Sequence, residues 1–400
     1  MTVPVEFVLF GATLLCVALF HRHAMHLALA GLALIVGWKL FFPGFPGHSR
    51  LAGLAAHLDS EWVTLANLLG LLTGFALLAR HFEDSHLPLL LPALLPDDWR
   101  GGFALLAIIF VMSAFLDNIA AAMIGGTLAT VLFRGRVHVG FVAAIVAAAN
   151  AGGAGSVVGD TTTTMMWIQG VAPSQVLHAY VGALVALLVF GVPAALQQQA
   201  YSPIICDSPP QPRIDWARVV IVALILGASA TVNIIVNERY PQIAARLPFL
   251  GLTVWIVLLL TAAWRRPAWQ LLPTALKGSV FLLSLVLCAS LMPVEQLPPA
   301  SWPTTLALGA LSAVFDNIPL TELALKAGGY DWGFLAYAVG FGGSMIWFGS
   351  SAGVALAGRF PAAQSVSAWL RAAWYVPIAY LAGFVALLLV VGWQPHSPLH

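Results

Sequence analysis

Asp-Asn occurs twice in the middle of a strongly apolar run, in SAFLDNIAAAMIGG at Ser113 to Gly126 and in SAVFDNIPLTELAL at Ser312 to Leu325. A carboxylate in the hydrocarbon of a bilayer costs roughly 2.5 to 3.5 kcal/mol on insertion scales, so its placement there twice, in one local context, needs a reason. The two stretches read as copies of one device, in which Asp117-Asn118 and Asp316-Asn317 sit at breaks in membrane helices and line an ion site. The simpler alternative is that each Asp-Asn caps a helix, accepting backbone N–H groups that a break sets free, without touching a substrate.

The apolar setting is general. Of 400 residues, 60% are hydrophobic and 8% charged, against about a quarter charged in soluble domains; the chain reads as an all-α polytopic membrane protein whose first partner is the lipid bilayer. A net charge of +1 gives no reason to expect a nucleic-acid partner. Cys16, Cys206 and Cys288 have neither CxxC nor metal-ligand spacing and suggest no disulfide or metal site. The run Val3 to Phe20 carries His21, Arg22 and His23 after it and no positive charge before it, the reverse of a cleavable signal. It reads as a retained first span with its N-terminus outside.

Apolar runs able to cross a ~30 Å core, which takes about 20 helical residues, fall near residues 3–20, 24–42, 61–81, 174–197, 215–237, 247–264, 276–294 and 371–393. Four further stretches are interrupted by polar or glycine-rich segments: 102–133 at Asp117, 139–169 at Gly152 to Thr164, 302–327 at Asp316 and 332–359 at Gly342 to Ser351. The second kind of interruption also repeats, AGGAGSVVGDT at Ala151 to Thr161 aligning with FGGSMIWFGSS at Phe341 to Ser351. Duplication with interrupted segments at corresponding positions points to a transporter whose site lies between two repeats.

Charge placement separates two topologies. If both Asp-Asn stretches turn back as re-entrant hairpins, five cationic residues (Lys39, Arg50, Arg239, Arg246 and Lys326) lie on one side and the other 12 of 17 on the opposite, cytoplasmic side. If both stretches cross fully, seven lie inside and ten outside, and the bias reverses. The hairpin topology follows, with about ten transmembrane helices plus two re-entrant hairpins. Each half then makes an odd number of crossings, so the repeats are inverted, with broken helices at the midplane. The expected division is a first repeat over 1–197 (hairpin 102–133, broken helix 139–169), a cytoplasmic linker over 198–214, a second repeat over 215–393 (hairpin 302–327, broken helix 332–359) and a tail over 394–400. Residues 43–60 are expected to include a short interfacial helix. A plasma-membrane (inner-membrane) location with both termini outside completes this expectation.

Freed N–H and C=O groups at a helix break, together with half-helix dipoles, make a place for a small ion. Asp117, Asn118, Asp316 and Asn317 offer the oxygens that hard cations such as sodium prefer. Asn150, Ser156, Asp160 and Thr161 add oxygens at the first glycine break, and Ser344, Ser350 and Ser351 at the second, which has no carboxylate. Asp117, Asp160 and Asp316 form the candidate acidic set, with Glu322 on the outgoing arm of the second hairpin. Carboxylates in such surroundings can exchange protons for cations, and competition for one site couples the two fluxes. No Arg or Lys stands at either tip or glycine break, which weakens a phosphate or dicarboxylate substrate. An anion or oxyanion transporter (dicarboxylate, citrate or arsenite) is the alternative, since hydroxyls and helix N-termini also hold anions. A membrane enzyme is disfavoured because no nucleophile, base and metal set converges.

The run NAGGAGSVVGDTTTTMMW, with SAFLDNIAAAM, SAVFDNIPLTELAL and GGSMIWFGSSAGVALAG, resembles NhaD-type sodium/proton antiporters of the ion transporter superfamily, other members of which carry arsenite, citrate or dicarboxylates. The likeness runs from about Glu61 to Arg359. It implies a secondary transporter working by alternating access, elevator-like, with a scaffold and a mobile transport domain in a homodimer. Sodium or lithium and protons are the implied transported species, with no cofactor. Cation-binding roles are implied for Asp117, Asn118, Asn150, Ser156, Asp160, Thr161, Asp316, Asn317, Ser344 and Ser350. The first copy reads DNIAAA, without the proline that follows DNI in the second, so the two tips need not share one geometry.

Overall fold

In a computed structural model the described residues are 4–20, 23–42, 50–87, 95–157, 159–204, 213–244 and 246–396. His21, Arg22, Cys206 and the linker prolines Pro209, Pro210 and Pro212 lie outside them. Every regular element among the described residues is helical. Among the described residues four helices are long and apolar enough to cross a membrane singly: Ala24–Phe41, Arg50–Asp84, Pro173–Tyr201 (with a one-residue joint at His178) and Trp269–Ser290. The pair Val366–Ala372 and Tyr375–Val390, bent by 61°, is a fifth if taken as one span. Trp216–Arg239 has 24 residues, its apolar part being Trp216–Ser229; the other shorter apolar helices among the described residues hold 10–17 residues, or about 15–25 Å at 1.5 Å per residue, short of a ~30 Å core. In Trp99–Ser113, Asn118–Leu132, Val139–Ala154 and Trp332–Gly342 that brevity follows from the interruptions legible in the sequence, and the whole is compatible with a multi-pass membrane protein.

Two local expectations are corrected. The stretch from Arg50 is no separate interfacial helix but the first part of Arg50–Asp84, a continuous helix of 35 residues. The helix beginning at Ala179 runs to Tyr201, into the expected linker, because buried Gln198 is part of its packing. The Gln198 amide accepts from His138 N at 2.8 Å and donates to the Arg136 carbonyl at 3.0 Å.

The chain forms two compact units, Met1–His81 with Trp216–Leu297, and Phe82–Asp215 with Pro298–His400. Each draws on both sequence halves. In the first, Gly70 of Arg50–Asp84 meets Gly251 of Phe249–Thr261 so closely that a Cβ on Gly70 would lie 2.8 Å from Gly251 Cα. Asn67 Oδ1 accepts from Gly251 N at 3.1 Å, and Trp255 Nε1 donates to the Gly70 carbonyl at 3.0 Å. Small residues let two backbones approach, and polar side chains then bond across the gap.

The second unit is built on Val139–Ala154 and Trp332–Gly342, buried along almost their whole lengths. Trp99–Ser113, Asn118–Leu132, Trp302–Ser312 and Tyr375–Val390 pack around them with Ala179–Tyr201. Four helix pairs are separated by short breaks: Trp99–Ser113 with Asn118–Leu132, Val139–Ala154 with Thr161–Ile168, Trp302–Ser312 with Asn317–Ala327, and Trp332–Gly342 with Ser351–Arg359. Each of these eight helices starts on a side chain that accepts a backbone N–H. In chain order the caps are Asp98, Asp117, His138 and Asp160, then Ser301, Asp316, Asp331 and Ser350. A cap satisfies one of the donors that a helix start leaves open, and here the series of four occurs twice.

The copies also share their close contacts. A Cβ on Gly152 would run into the Phe110 carbonyl, and one on Gly342 into that of Gly309. Gly159 backs onto the Ser113 carbonyl as Gly349 does onto those of Ser312 and Ala313. Gly342→Ala is expected to lower stability by about 1–3 kcal/mol, the cost of overpacking. Thermal unfolding in detergent checks this against Gly358→Ala, whose added Cβ meets nothing within 4 Å and which leaves the melting temperature unchanged or slightly raised.

Candidate functional site

The breaks in the second unit converge on Asn150, wholly buried near the end of Val139–Ala154. Its Oδ1 accepts from Asn118 Nδ2 at 3.0 Å, and its own Nδ2 donates to Ser344 Oγ at 2.9 Å and Ser350 Oγ at 3.1 Å. Asn118 Nδ2 also reaches Asp160 Oδ1 at 3.2 Å, and Thr162 Oγ1 donates to Asp160 Oδ2 at 2.7 Å. One chain of hydrogen bonds thus runs from Thr162 through Asp160, Asn118 and Asn150 to the two serines, joining the first copy to the second.

Asp117 and Asp316 flank this chain in matching ways. Each is a half-buried cap with φ and ψ of −51° and 142° in the first copy and −54° and 140° in the second. The tips therefore share one geometry although only the second has the proline. In each, Oδ1 accepts the backbone N–H two residues on, Ile119 at 2.9 Å and Ile318 at 3.0 Å. The other oxygen meets the first hydroxyl of the facing helix: Thr161 Oγ1 lies 3.5 Å from Asp117 Oδ2, and Ser351 Oγ donates to Asp316 Oδ2 at 3.0 Å. Each carboxylate thus caps with one oxygen and meets a hydroxyl with the other.

Of the ten residues expected at the site, Asn118, Asn150, Asp160, Ser344 and Ser350 share the central chain, and Asp117 and Thr161 stand together beside it. Asp316 pairs with Ser351, and Asn317 is buried with its Nδ2 bonded to no protein atom among the described residues. Ser156 serves differently, donating to the Ala114 carbonyl at 2.6 Å and tying the glycine break to the Asp117 tip. Glu322 is buried on Asn317–Ala327 with Oε1 4.0 Å from Lys326 Nζ. Among the described residues no three His, Cys, Asp or Glu side chains converge on one metal position, so the three aspartates do not form a single cage.

Sequence reasoning missed Thr162 as the hydroxyl on Asp160, hidden within a threonine run whose neighbours Thr163 and Thr164 instead hold the break through the Ser156 and Val157 carbonyls. It also missed Ser113 and Ser312, whose hydroxyls donate to the Ala149 and Val339 carbonyls at 2.6 and 2.8 Å and dock each Asp-Asn tip on the facing helix. Their signal was present, since a serine stands four residues before the aspartate in both SAFLD and SAVFD.

The electrostatics set the chemistry. Among the described residues no Lys or Arg pairs with Asp117, Asp160 or Asp316; their partners are hydroxyls, an amide and backbone N–H groups. A buried carboxylate without a protein cation is neutralised by a proton or by an ion from outside. Asn150→Ala is expected to cost at least about 2 kcal/mol, because it takes away one of the two acceptors of the Asn118 amide and leaves a cavity, each worth roughly 1–3 kcal/mol; a fall in melting temperature of several degrees checks it.

No family model matches the chain. It is 28% identical over 301 residues to Sodium/proton antiporter 1 of Arabidopsis thaliana, covering 65% of this chain and 50% of that protein. It is 26% identical over 296 residues to Sodium/proton antiporter 2 of the same plant, covering 64% of this chain and 68% of that protein. The chain thus spans half the length of one of these curated relatives and about two thirds of the other.

Proposed function

We propose that this chain is a secondary transporter, not an enzyme, exchanging sodium or lithium for protons across a membrane. The observation that carries the reading is the set of intramembrane carboxylates at helix breaks whose protein partners are all neutral. Such groups take up either a proton or a small cation, and taking one excludes the other. Two relatives named sodium/proton antiporter support the same class.

In this mechanism Asp160, 1% exposed, is the inner proton and cation acceptor, oriented by Asn118 and Thr162. Asp117 and Asp316, half-buried, hand ions between that position and the aqueous approaches. Amide, hydroxyl and backbone oxygens complete a coordination shell, since the aspartates do not share one. Asn118, Asn150, Thr161, Asn317, Ser344 and Ser350 serve there, and Ser156 holds the break in shape. The arrangement we propose has ten crossings, two re-entrant helix pairs and inverted repeats, with the second unit moving elevator-like inside a homodimer in the plasma membrane. The neutral surroundings favour this reading over a dicarboxylate, citrate or arsenite carrier, which would want cationic partners.

Purified protein in liposomes carrying a pH-sensitive dye is expected to move protons on addition of sodium or lithium. Asp160→Asn, which keeps an oxygen to cap Thr161–Ile168, is expected to stay folded and lose that response. Full exchange by the variant would remove Asp160 from its role, and a response to arsenite or a dicarboxylate but not to sodium or lithium would remove the antiporter reading. Single cysteines at Arg100 and Arg134 are expected to be labelled from the same side; labelling from opposite sides would mean that the helix pair between them crosses fully.

A further inference from the structure

The two glycine breaks correspond residue for residue, so that Asn150 matches Gly340 and Asp160 matches Ser350 in the paired runs. The bond from Asn150 to Ser350 therefore has a counterpart in the approach of Gly340 to Asp160. That approach is close: a Cβ on Gly340 would lie 3.1 Å from Asp160 Oδ2, 3.6 Å from Ala154 Cβ and 4.0 Å from Thr162 Oγ1. One contact of the internal symmetry is filled by amide and hydroxyl, the other by a bare backbone and a carboxylate.

The carboxylate has little freedom to yield. Its Oδ1 holds the Asn118 amide at 3.2 Å and its Oδ2 the Thr162 hydroxyl at 2.7 Å, so moving it away from position 340 loosens one or both. An asparagine at 340, as the first copy has at 150, would collide with it. Glycine at one position and aspartate at the other thus go together, as do asparagine and serine across the matching contact.

We propose that Gly340 is a positioning residue for cation binding: by lacking a side chain it sets the place of the Asp160 carboxylate, and so decides that the inner acidic group sits in the first copy alone. The inference rests on Asp160 being the inner cation acceptor. A methyl group at 340 pushes Oδ2 aside by a few tenths of an ångström. Because a misplacement of ~1 Å can cost 100-fold, the half-saturating sodium concentration is expected to rise roughly 3- to 10-fold while the maximal exchange rate is kept.

The test pairs transport with a double-mutant cycle. Gly340→Ala, Gly358→Ala and wild type are compared in liposomes for half-saturation and maximal rate. Gly340→Ala is also melted in detergent in the wild-type and Asp160→Ser backgrounds, serine being the residue at the matching position 350. Raised half-saturation in Gly340→Ala alone, with a lowered melting temperature that Asp160→Ser abolishes, is the expected result. Unchanged half-saturation overturns the proposal, and so does an equal loss of stability in both backgrounds. Should Gly340→Ala fold only beside Asp160→Ser, the contact is as described; failure to fold in both overturns it. A wild-type protein that ignores sodium and lithium instead ends the antiporter reading and this role with it, whereas a responsive wild type with an indifferent Gly340→Ala ends only the role of Gly340.

Discussion

A helix broken inside protein or lipid must find partners for the backbone groups it sets free, since each one left buried and unpaired costs several kcal/mol in hydrocarbon. The second unit meets this constraint with side-chain caps on all eight of its broken-pair helices. Three of those caps are the aspartates Asp117, Asp160 and Asp316. Economy of this kind is possible because a carboxylate caps with one oxygen and presents the other. The glycines at the breaks bring facing carbonyls close within each copy, and Asn150 bridges the two copies through Ser344 and Ser350.

Duplication explains the frame, and divergence explains the chemistry. The caps, the docking serines and the glycine contacts recur in register. Yet the central chain is asymmetric, with Asp160 and Asn150 in the first copy answered by Ser350 and Gly340 in the second. Placing two carboxylates at the crossing would set like charges side by side in a poorly solvated site. The first copy has one carboxylate there, held between an amide and a hydroxyl.

Much of this is legible in the order of the residues. Asp-Asn in an apolar run, the paired glycine breaks and the positions of the helix interruptions follow from hydrophobic patterning and from the cost of burying charge, both local and both written in residue type. The structure places breaks at residues 114–117, 155–160, 313–316 and 343–350, within or beside each expected interruption. Less legible are helix ends such as Arg50, where the helix runs on without a break, and Tyr201, where the packing of buried Gln198 extends it.

Sequence alone determined the all-helical, apolar character of the chain and where its helices are interrupted, because composition and spacing carry those directly. Only the tertiary structure decided which residues meet. The chain of bonds through Asn150 links residues up to 200 positions apart, and both compact units mix the two halves of the chain. Spacing cannot report the distance from Asp160 to Gly340, nor distinguish Thr162 from its neighbours in the threonine run. Those facts depend on the angle at which one broken helix crosses another, which is set by close-packed glycines and carbonyls in a different part of the sequence.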